Sequence, residues 1–349
     1  MTVTHRARKL PTRNFGYLFG MDAHERVVLP GGGRLVTDGA TDLNDLRSYQ
    51  AGDYVRLHIT KHHFRQSVRF DLDDFRCLVN WVTDPDQNPR VLENMVRLLK
   101  GYQGRVINHP AKVLKTSRDQ VAQMLQGIPG LIVPPTVRLT SHKPAIILKT
   151  LEKAGIRFPA ILRSAGSHMG QMIGVFDSAE ALAAAVSGRH DHVVTSFVDF
   201  RNADGLYRKY RVFAIGGNMI LRHYLISDGW NIHASAREDF MLPRPDLLAE
   251  EEHKMKAGLP VPVVEVLWQI VQRMDLDFFG IDFGVTDDGN VVLFEANATM
   301  NFFPIPTEPQ FAYLKALLAP ASHAMNALLY PGYWQALEQG RITFPAPAS

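Results

Sequence analysis

Three oxygen-bearing side chains toward the C-terminal end of the sequence have the spacing of a cation site. In IDFGVTDDGNVVLFEANA, apolar residues alternate on either side of Asp288-Gly289, the pair favoured in a two-residue type I′ turn. That turn sets Asp282 directly opposite Glu295, and like charges facing each other on one sheet face repel. A bound cation removes the repulsion. Asn297 lies two residues beyond Glu295, hence on the same face, and adds a neutral oxygen. Two carboxylates and an amide make a hard-oxygen set for Mg²⁺, with Mn²⁺ as an alternative; such an ion completes its shell with water and phosphate oxygens. The opposite face carries Ile281, Phe283, Val285, Val292, Phe294 and Ala296 and reads as core. The competing reading is an acidic pair solvated at an open sheet face.

A second hairpin carries the opposite charge. In YRVFAIGGNMILRHYLI, a two-residue Gly216-Gly217 turn places Arg211 opposite Arg222, off the same face as Phe213 and Ile220. Facing guanidinium groups call for an anion, and their planar forks suit phosphate or carboxylate. Solvation, pairing with acidic neighbours, or a slip of the turn to Gly217-Asn218 are the alternatives. Upstream, SAGSHMGQ lies between two strands, and its small residues let backbone N–H groups approach phosphate oxygens, which makes Ser164, Gly166, Ser167 and His168 candidate contacts. Arg163 precedes this loop and adds positive charge. The loop lacks the Gly-Lys-Ser/Thr ending of a P-loop, and a plain turn is its other reading.

These residues need strands to hold them. DYVRLHIT and CLVNWV read as strands, and PRVLENMVRLLKG as a helix closed by Gly101. RVINHP supplies another strand, after which Ser117 and Gln120 form a capping box for a helix through Leu125 that Gly127 ends. LIVPPTVRLT is extended, HKPAIILKTLEKAGI is a helix, FPAILRS a strand, and SAEALAAAVSG a helix capped by Ser178. From His192 the pattern is mostly β, with VPVVEVLWQIVQRM as an amphipathic helix between the two charged hairpins. The pattern divides into an N-terminal β/α domain (1–115), a small lid bearing the glycine loop (116–190), a C-terminal antiparallel-sheet domain with the metal site (191–335), and a tail (336–349).

With 349 residues, 46% of them hydrophobic, the chain is long enough for two or three packed units. Cys77 is the only cysteine, which excludes an internal disulfide and a multi-cysteine metal site and fits a reducing, cytoplasmic setting. No apolar run approaches the ~20 residues of a membrane helix, and the N-terminus lacks the apolar core of a signal peptide. A formal charge of +3 from 38 basic and 35 acidic residues does not describe a nucleic-acid coat, so the expected partner is a small anion. Four other features are set aside. Gly31-Gly32-Gly33 has no helix after it, His58, His62 and His63 read as solvated, Ser167-His168 are adjacent rather than arranged as nucleophile and base, and Cys77 reads as packing.

In this order of features the segment from about Asn108 to Phe303 resembles the ATP-grasp superfamily, most nearly the ligases of the glutathione synthetase and ribosomal-S6-modifying type. DFFGIDFGVTDDGNVVLFEANATMN is similar to the family's metal-binding hairpin, so Asp282, Glu295 and Asn297 are the implied Mg²⁺ ligands and Asn301 stands near substrate or phosphate. YRVFAIGG is similar to the family's Arg-Val hairpin, which implies catalytic roles for Arg211 and Arg222 at the transferred phosphate or a substrate carboxylate. VVTSFVDF resembles the hinge strand that holds adenine, implicating Ser196, Phe197 and Val198, with Asp199 or Asp204 for the ribose. Lys115 matches a family lysine near the first boundary, while Arg163 stands where a lysine is usual before the loop.

The resemblance implies an α/β ATP-grasp fold with ATP between lid and C-terminal domain. It also implies an ADP-forming ligase that joins a small-molecule or peptide carboxylate to an amine or thiol through an acyl phosphate, and it allows a homodimer. Neither nucleic acid nor membrane is an expected partner. Two rivals use the same machinery: a phosphotransferase that stops at a stable phosphorylated product, and a nucleotide-binding module with a degenerate site.

Overall fold

The computed structural model describes residues 13–23, 41–47, 54–65, 70–167, 172–188, 190–330 and 332–339. Strands β1 (Arg13–Phe19), β2 (Tyr54–His58), β3 (Phe75–Asn80) and β4 (Arg105–Ile107) form a parallel sheet in the order β2-β1-β3-β4. β1 is absent from the sequence reading because both of its faces are buried: Phe15 and Tyr17 enter one core and Leu18 another, so no polar alternation marks it. Helix α1 (Pro89–Leu98) begins on a proline, as its fixed φ favours. α2 (Pro110–Val113) and α3 (Arg118–Leu125) follow. Ser117 does precede α3, but its side chain makes no capping hydrogen bond, so the expected capping box is not formed.

A second sheet is antiparallel, with β6 (Thr136–Leu139), β7 (Ala160–Ser164), β8 (Gly174–Phe176) and β9 (His192–Ser196) in the order β6-β9-β7-β8. Helices α4 (Pro144–Lys153) and α5 (Ala179–Ala185) cover it, the latter capped as read by Ser178 Oγ, which accepts from Ala181 N at 3.2 Å. Leu139, Ile147, Leu151, Leu162, Leu182 and Val194 give this unit its own core.

The third sheet runs β11-β10-β12-β13-β5, from β5 (Leu131–Ile132), β10 (Tyr207–Ile215), β11 (Asn218–Ser227), β12 (Phe278–Val285) and β13 (Val291–Asn297). α6 (Pro245–Ala257), α7 (Val261–Met274), α8 (Ala312–Leu329) and α9 (Tyr333–Glu338) belong to the same part of the chain. Two cores run between the first and third sheets. Trp81 stacks on Phe278 at 5.4 Å in one, and Leu78 and Val82 join Ile281, Phe283 and the α7 residues Leu267 and Ile270 in the other. The first and third sheets therefore share their cores, whereas the second sheet packs on a core of its own. No helix among the described residues is long and apolar enough to cross a membrane.

Asn108 fastens the first sheet to the third. It is fully buried at φ 47°, a left-handed conformation that asparagine tolerates better than most residues. Its Oδ1 accepts from the backbone of Asp277 (2.7 Å) and Phe278 (3.1 Å), and its Nδ2 donates to Phe278 O at 2.8 Å. Asn108→Ala strands these groups and strains the backbone, and is expected to cost about 3 kcal/mol or more. A urea midpoint shifted by less than about 1 kcal/mol equivalent would contradict this role.

The set-aside histidines divide. His58 and His62 are exposed, whereas His63 is buried and stacked on Phe70 at 5.5 Å, so packing rather than solvation accounts for it. Cys77 is buried, and burial pushes its thiol up to about 12, which fits packing.

Candidate active site

β12 and β13 pair Asp282 with Glu295 as expected, although the turn is not the expected one. Thr286 N donates to Asn290 O at 3.0 Å and Gly289 N to Thr286 O at 2.9 Å, so three residues, 287–289, make the loop. Taken alone, the longer loop would move Glu295 out of register with Asp282. A bulge between Asp282 and Phe283 restores it, because Phe283 faces Leu293 and the extra residue is Phe294. Between turn and bulge, the longer loop also shifts the core face. Val291 and Leu293 join Ile281 and Phe283, while Val292 and Phe294 pack in the other core.

The second hairpin has the expected turn and a different register at its far end. Gly216 (φ 55°) and Gly217 (φ 84°) form the two-residue loop and Ile215 pairs with Asn218, as a type I′ turn requires. A bulge between Arg211 and Val212 then makes Arg222 the extra residue, so Arg211 faces His223 rather than Arg222. Arg222 is buried; its Nε donates to Phe302 O and its Nη2 to Pro304 O, both at 2.5 Å. Nη1 has no hydrogen-bond partner among the described residues. Burial, with Arg237 and Arg211 nearby, pulls Arg222 down to about 10. Asp42 holds the same segment from the first-sheet side, accepting from Phe302 N (2.7 Å) and Phe303 N (2.9 Å).

β10 lies beside β12, which sets Arg211 against Asp282. Arg211 grips the carboxylate with Nε at 2.6 Å and Nη2 at 2.7 Å, and its Nη1 donates to Asn301 O at 3.2 Å. Lys209 Nζ reaches Asp282 Oδ2 at 2.8 Å. Burial alone would raise the Asp282 pKa, but Arg211 and Lys209 outweigh it and hold the carboxyl far below its usual range. Glu295 accepts from Arg118 Nη2 at 2.7 Å and from Asn297 Nδ2 at 2.7 Å. Arg163, at the end of β7, is pulled down to about 10 by burial and by Arg118, with Glu295 opposing.

The donor set fits a hard divalent cation: an ionised Asp282, a carboxylate directly opposite it, and the Asn297 amide two residues on. No group of three or more His, Cys, Asp and Glu able to hold a metal occurs among the described residues, so the set depends on that amide.

The glycine loop closes the cleft from the lid side. Ser167 N and Oγ both donate to Ser164 O, at 3.2 and 2.7 Å, which forms the turn, and Gly166 O accepts from Gln87 Nε2 of the first-sheet unit at 2.8 Å. Arg138 on β6 ties the two together, reaching Asp86 at 2.7 Å and Asp119 at 2.9 Å. Ser164, Gly166, Ser167, Arg118, Glu295 and Asn297 line one cleft. His168 lies outside the described residues.

In the hinge, Ser196 is buried and its Oγ accepts from Arg157 N at 2.8 Å, while Phe197 N donates to Pro159 O at 2.9 Å. Phe197 and Val198 are half-buried. Asp199 is exposed and paired with Arg201 at 2.6 Å. Asp204 is paired with Arg208, whose hydrogen bonds hold it at about 2, so neither acid joins the cation cluster. Asn301 is exposed and is tied in through its backbone. Lys115 is exposed, and Arg118, three residues on, is the cation brought to Glu295.

Arg118, Lys209 and His223 are additions to the residues read from the sequence. Lys209 carries a readable signal, since it lies two residues before Arg211 on the same strand face. Arg118 carries a weaker one, because a cation in the first turn of α3 opposes the helix dipole.

No protein-family model matches the sequence, and no curated protein matches it. Solved structures match in three dimensions. The D-alanine-D-alanine ligase from Coxiella burnetii aligns with TM-score 0.53 at 11% identity, over 94% of this chain and 98% of that one. The D-alanyl-alanine synthetase A from Vibrio cholerae aligns with TM-score 0.52 at 12% identity, over 93% and 100%. The VanG D-Ala:D-Ser ligase from Enterococcus faecalis gives 0.51 at 13%, over 92% and 100%. The chain has the ATP-grasp fold.

Proposed function

We propose that this protein is a Mg²⁺- and ATP-dependent ligase that joins a carboxylic acid, small-molecule or peptide, to an amine with release of ADP and phosphate. One observation carries the reading: among the described residues, Lys209 and Arg211 meet Asp282 and Arg118 meets Glu295, with Arg163 close by, beside a glycine loop. Such a set of half-buried guanidinium and ammonium groups suits a phosphate anion, and a triphosphate supplies one.

In this reading the hinge segment Ser196–Val198 receives adenine and the loop 164–167 covers the phosphates. Asp282, Glu295 and Asn297 would hold Mg²⁺, which when bound offsets charge on the β- and γ-phosphates. Arg163 and Arg118 receive phosphate oxygens, and Arg211, held by Asp282 and Asn301 O, faces the transferred group. The acid's carboxylate oxygen attacks the γ-phosphorus, giving acyl phosphate and ADP. The amine then attacks the acyl carbon, phosphate leaves, and the nitrogen loses a proton.

Mg²⁺ with ATP is expected to raise the melting temperature more than either does alone, because metal and triphosphate complete each other's coordination. A full shift with ATP in excess chelator contradicts the metal assignment. The substrate test is ADP release with pools of amino acids and small peptides, read out by product mass. A condensed product supports the ligase, whereas a stable phosphate ester moves the reading to a phosphotransferase.

A further inference from the structure

We infer that Arg138, on β6 of the lid sheet, is a positioning residue whose guanidinium seats both the glycine loop and Arg118 for the nucleotide's phosphates. The inference rests on the ATP reading above and adds to it a residue that sets the site without touching its ligand. Arg138 meets three acids from three parts of the chain. Its Nη2 is 2.7 Å from Asp86, in the turn between β3 and α1, and 2.9 Å from Asp119, in the first turn of α3. Its Nη1 is 3.5 Å from Asp191, the residue before β9. Among the described residues, none of the three acids has another ion-pair partner.

Each acid leads to a part of the phosphate site. Beside Asp86, Gln87 Nε2 donates to Gly166 O at 2.8 Å. The loop lies so close to this turn that a side chain at Gly166, whose φ is 71°, would meet Gln87 Cγ at 3.2 Å and Asp86 Cβ at 3.3 Å. Asp191 O accepts from Ala165 N of the same loop at 2.9 Å. Arg118, next to Asp119, donates to Glu295 at 2.7 Å and to Phe294 O at 3.1 Å. Asp86, Gly166, Ser167, Arg118 and Glu295 line one cleft.

The charges set the direction of the effect. Three carboxylates share one cation, so a neutral residue in its place leaves repulsion between the lid, α3 and the β3–α1 turn where attraction stood. The lid sheet packs on a core of its own, and Arg138–Asp86 and Gln87–Gly166 are polar bonds that join it to the first-sheet unit. A loop seated for a smaller fraction of the time binds phosphates with an affinity lower by that fraction.

The test compares wild type, Arg138→Met, Arg138→Lys, Gln87→Ala and the Arg138→Met, Gln87→Ala double variant, each as the full chain. Hydrogen exchange of the segment 164–167 without nucleotide reads the seating of the loop, and is expected to be about tenfold faster in Arg138→Met. MgATP should bind that variant about tenfold more weakly, whereas adenosine, which lacks phosphates, should bind as it does to wild type. Arg138→Lys keeps the charge that the fold needs and loses the fork, so it should show both effects at about threefold. The double variant should be no worse than Arg138→Met, because both substitutions act through the same seat. Wild-type exchange in both Arg138 variants, equal weakening of MgATP and adenosine, or losses that multiply in the double variant would overturn the inference and leave the ATP reading standing. Failure of MgATP to bind wild type would overturn that reading, and exchange of 164–167 would still decide whether Arg138 seats the loop.

Discussion

Glu295→Gln is expected to lower ADP release by ~10³-fold or more while leaving the fold intact. The side chain stands across from Asp282, accepts from Arg118 Nη2, and is one of two carboxylates proposed to hold the metal. Glutamine is nearly the same size, and its amide oxygen still accepts from Arg118, so packing and that contact survive. What is lost is one of the two negative charges that offset the cation's, and with it most of the affinity of the hard-oxygen set. The expected signature is an unchanged melting temperature without ligand together with a smaller shift when Mg²⁺ and ATP are added. Wild-type turnover in this variant would remove Glu295 from the metal site.

Arg211→Ala is expected to reduce turnover by ~10²-fold or more, the scale of a group that stabilises charge in the transition state. Its fork is fixed by Asp282 and by Asn301 O before any substrate arrives, so little reorganisation is left for the reaction step. The alanine variant also leaves the buried Asp282 with Lys209 as its remaining cation, so stability has to be measured beside rate. Arg211→Lys separates the two effects. It keeps the charge on Asp282 but loses the bidentate geometry, and is expected to recover stability while turnover stays well below wild type. Arg222→Ala should fall by a similar ~10²-fold through a different route, since Arg222 holds the carbonyls of Phe302 and Pro304. Near-normal rates in both Arg211 variants would place the transferred group elsewhere.

One of the two turns was readable in the sequence, and neither bulge was. Gly216-Gly217 announced its own loop because few other residue pairs accept two positive φ values, yet the same hairpin slips at Arg211 and Arg222. That slip follows from carbonyls 80 and more residues away that capture the Arg222 guanidinium, and no local pattern encodes them. The Asp282–Glu295 pairing came out as read although its turn did not, since a three-residue loop and a bulge offset each other. Arg118 meets Glu295 across 177 positions, and Lys209 meets Asp282 only because β10 lies beside β12; topology, rather than spacing, assembles that cluster. α6 and α8 went unread for a related reason. α6 is polar enough to pass for a loop, and α8 carries Pro320 within it.

The central claim is that an acid is activated as its acyl phosphate in the cleft between the glycine loop and the Asp282 hairpin. It is tested most directly by adding hydroxylamine to the enzyme with Mg²⁺, ATP and acid, in the absence of the amine. A mixed anhydride is electrophilic at carbon, so wild type is predicted to form the hydroxamate in step with ADP, and Glu295→Gln to form it at a rate lower by orders of magnitude. ADP released with no hydroxamate and a stable phosphate ester on an alcohol would contradict the claim.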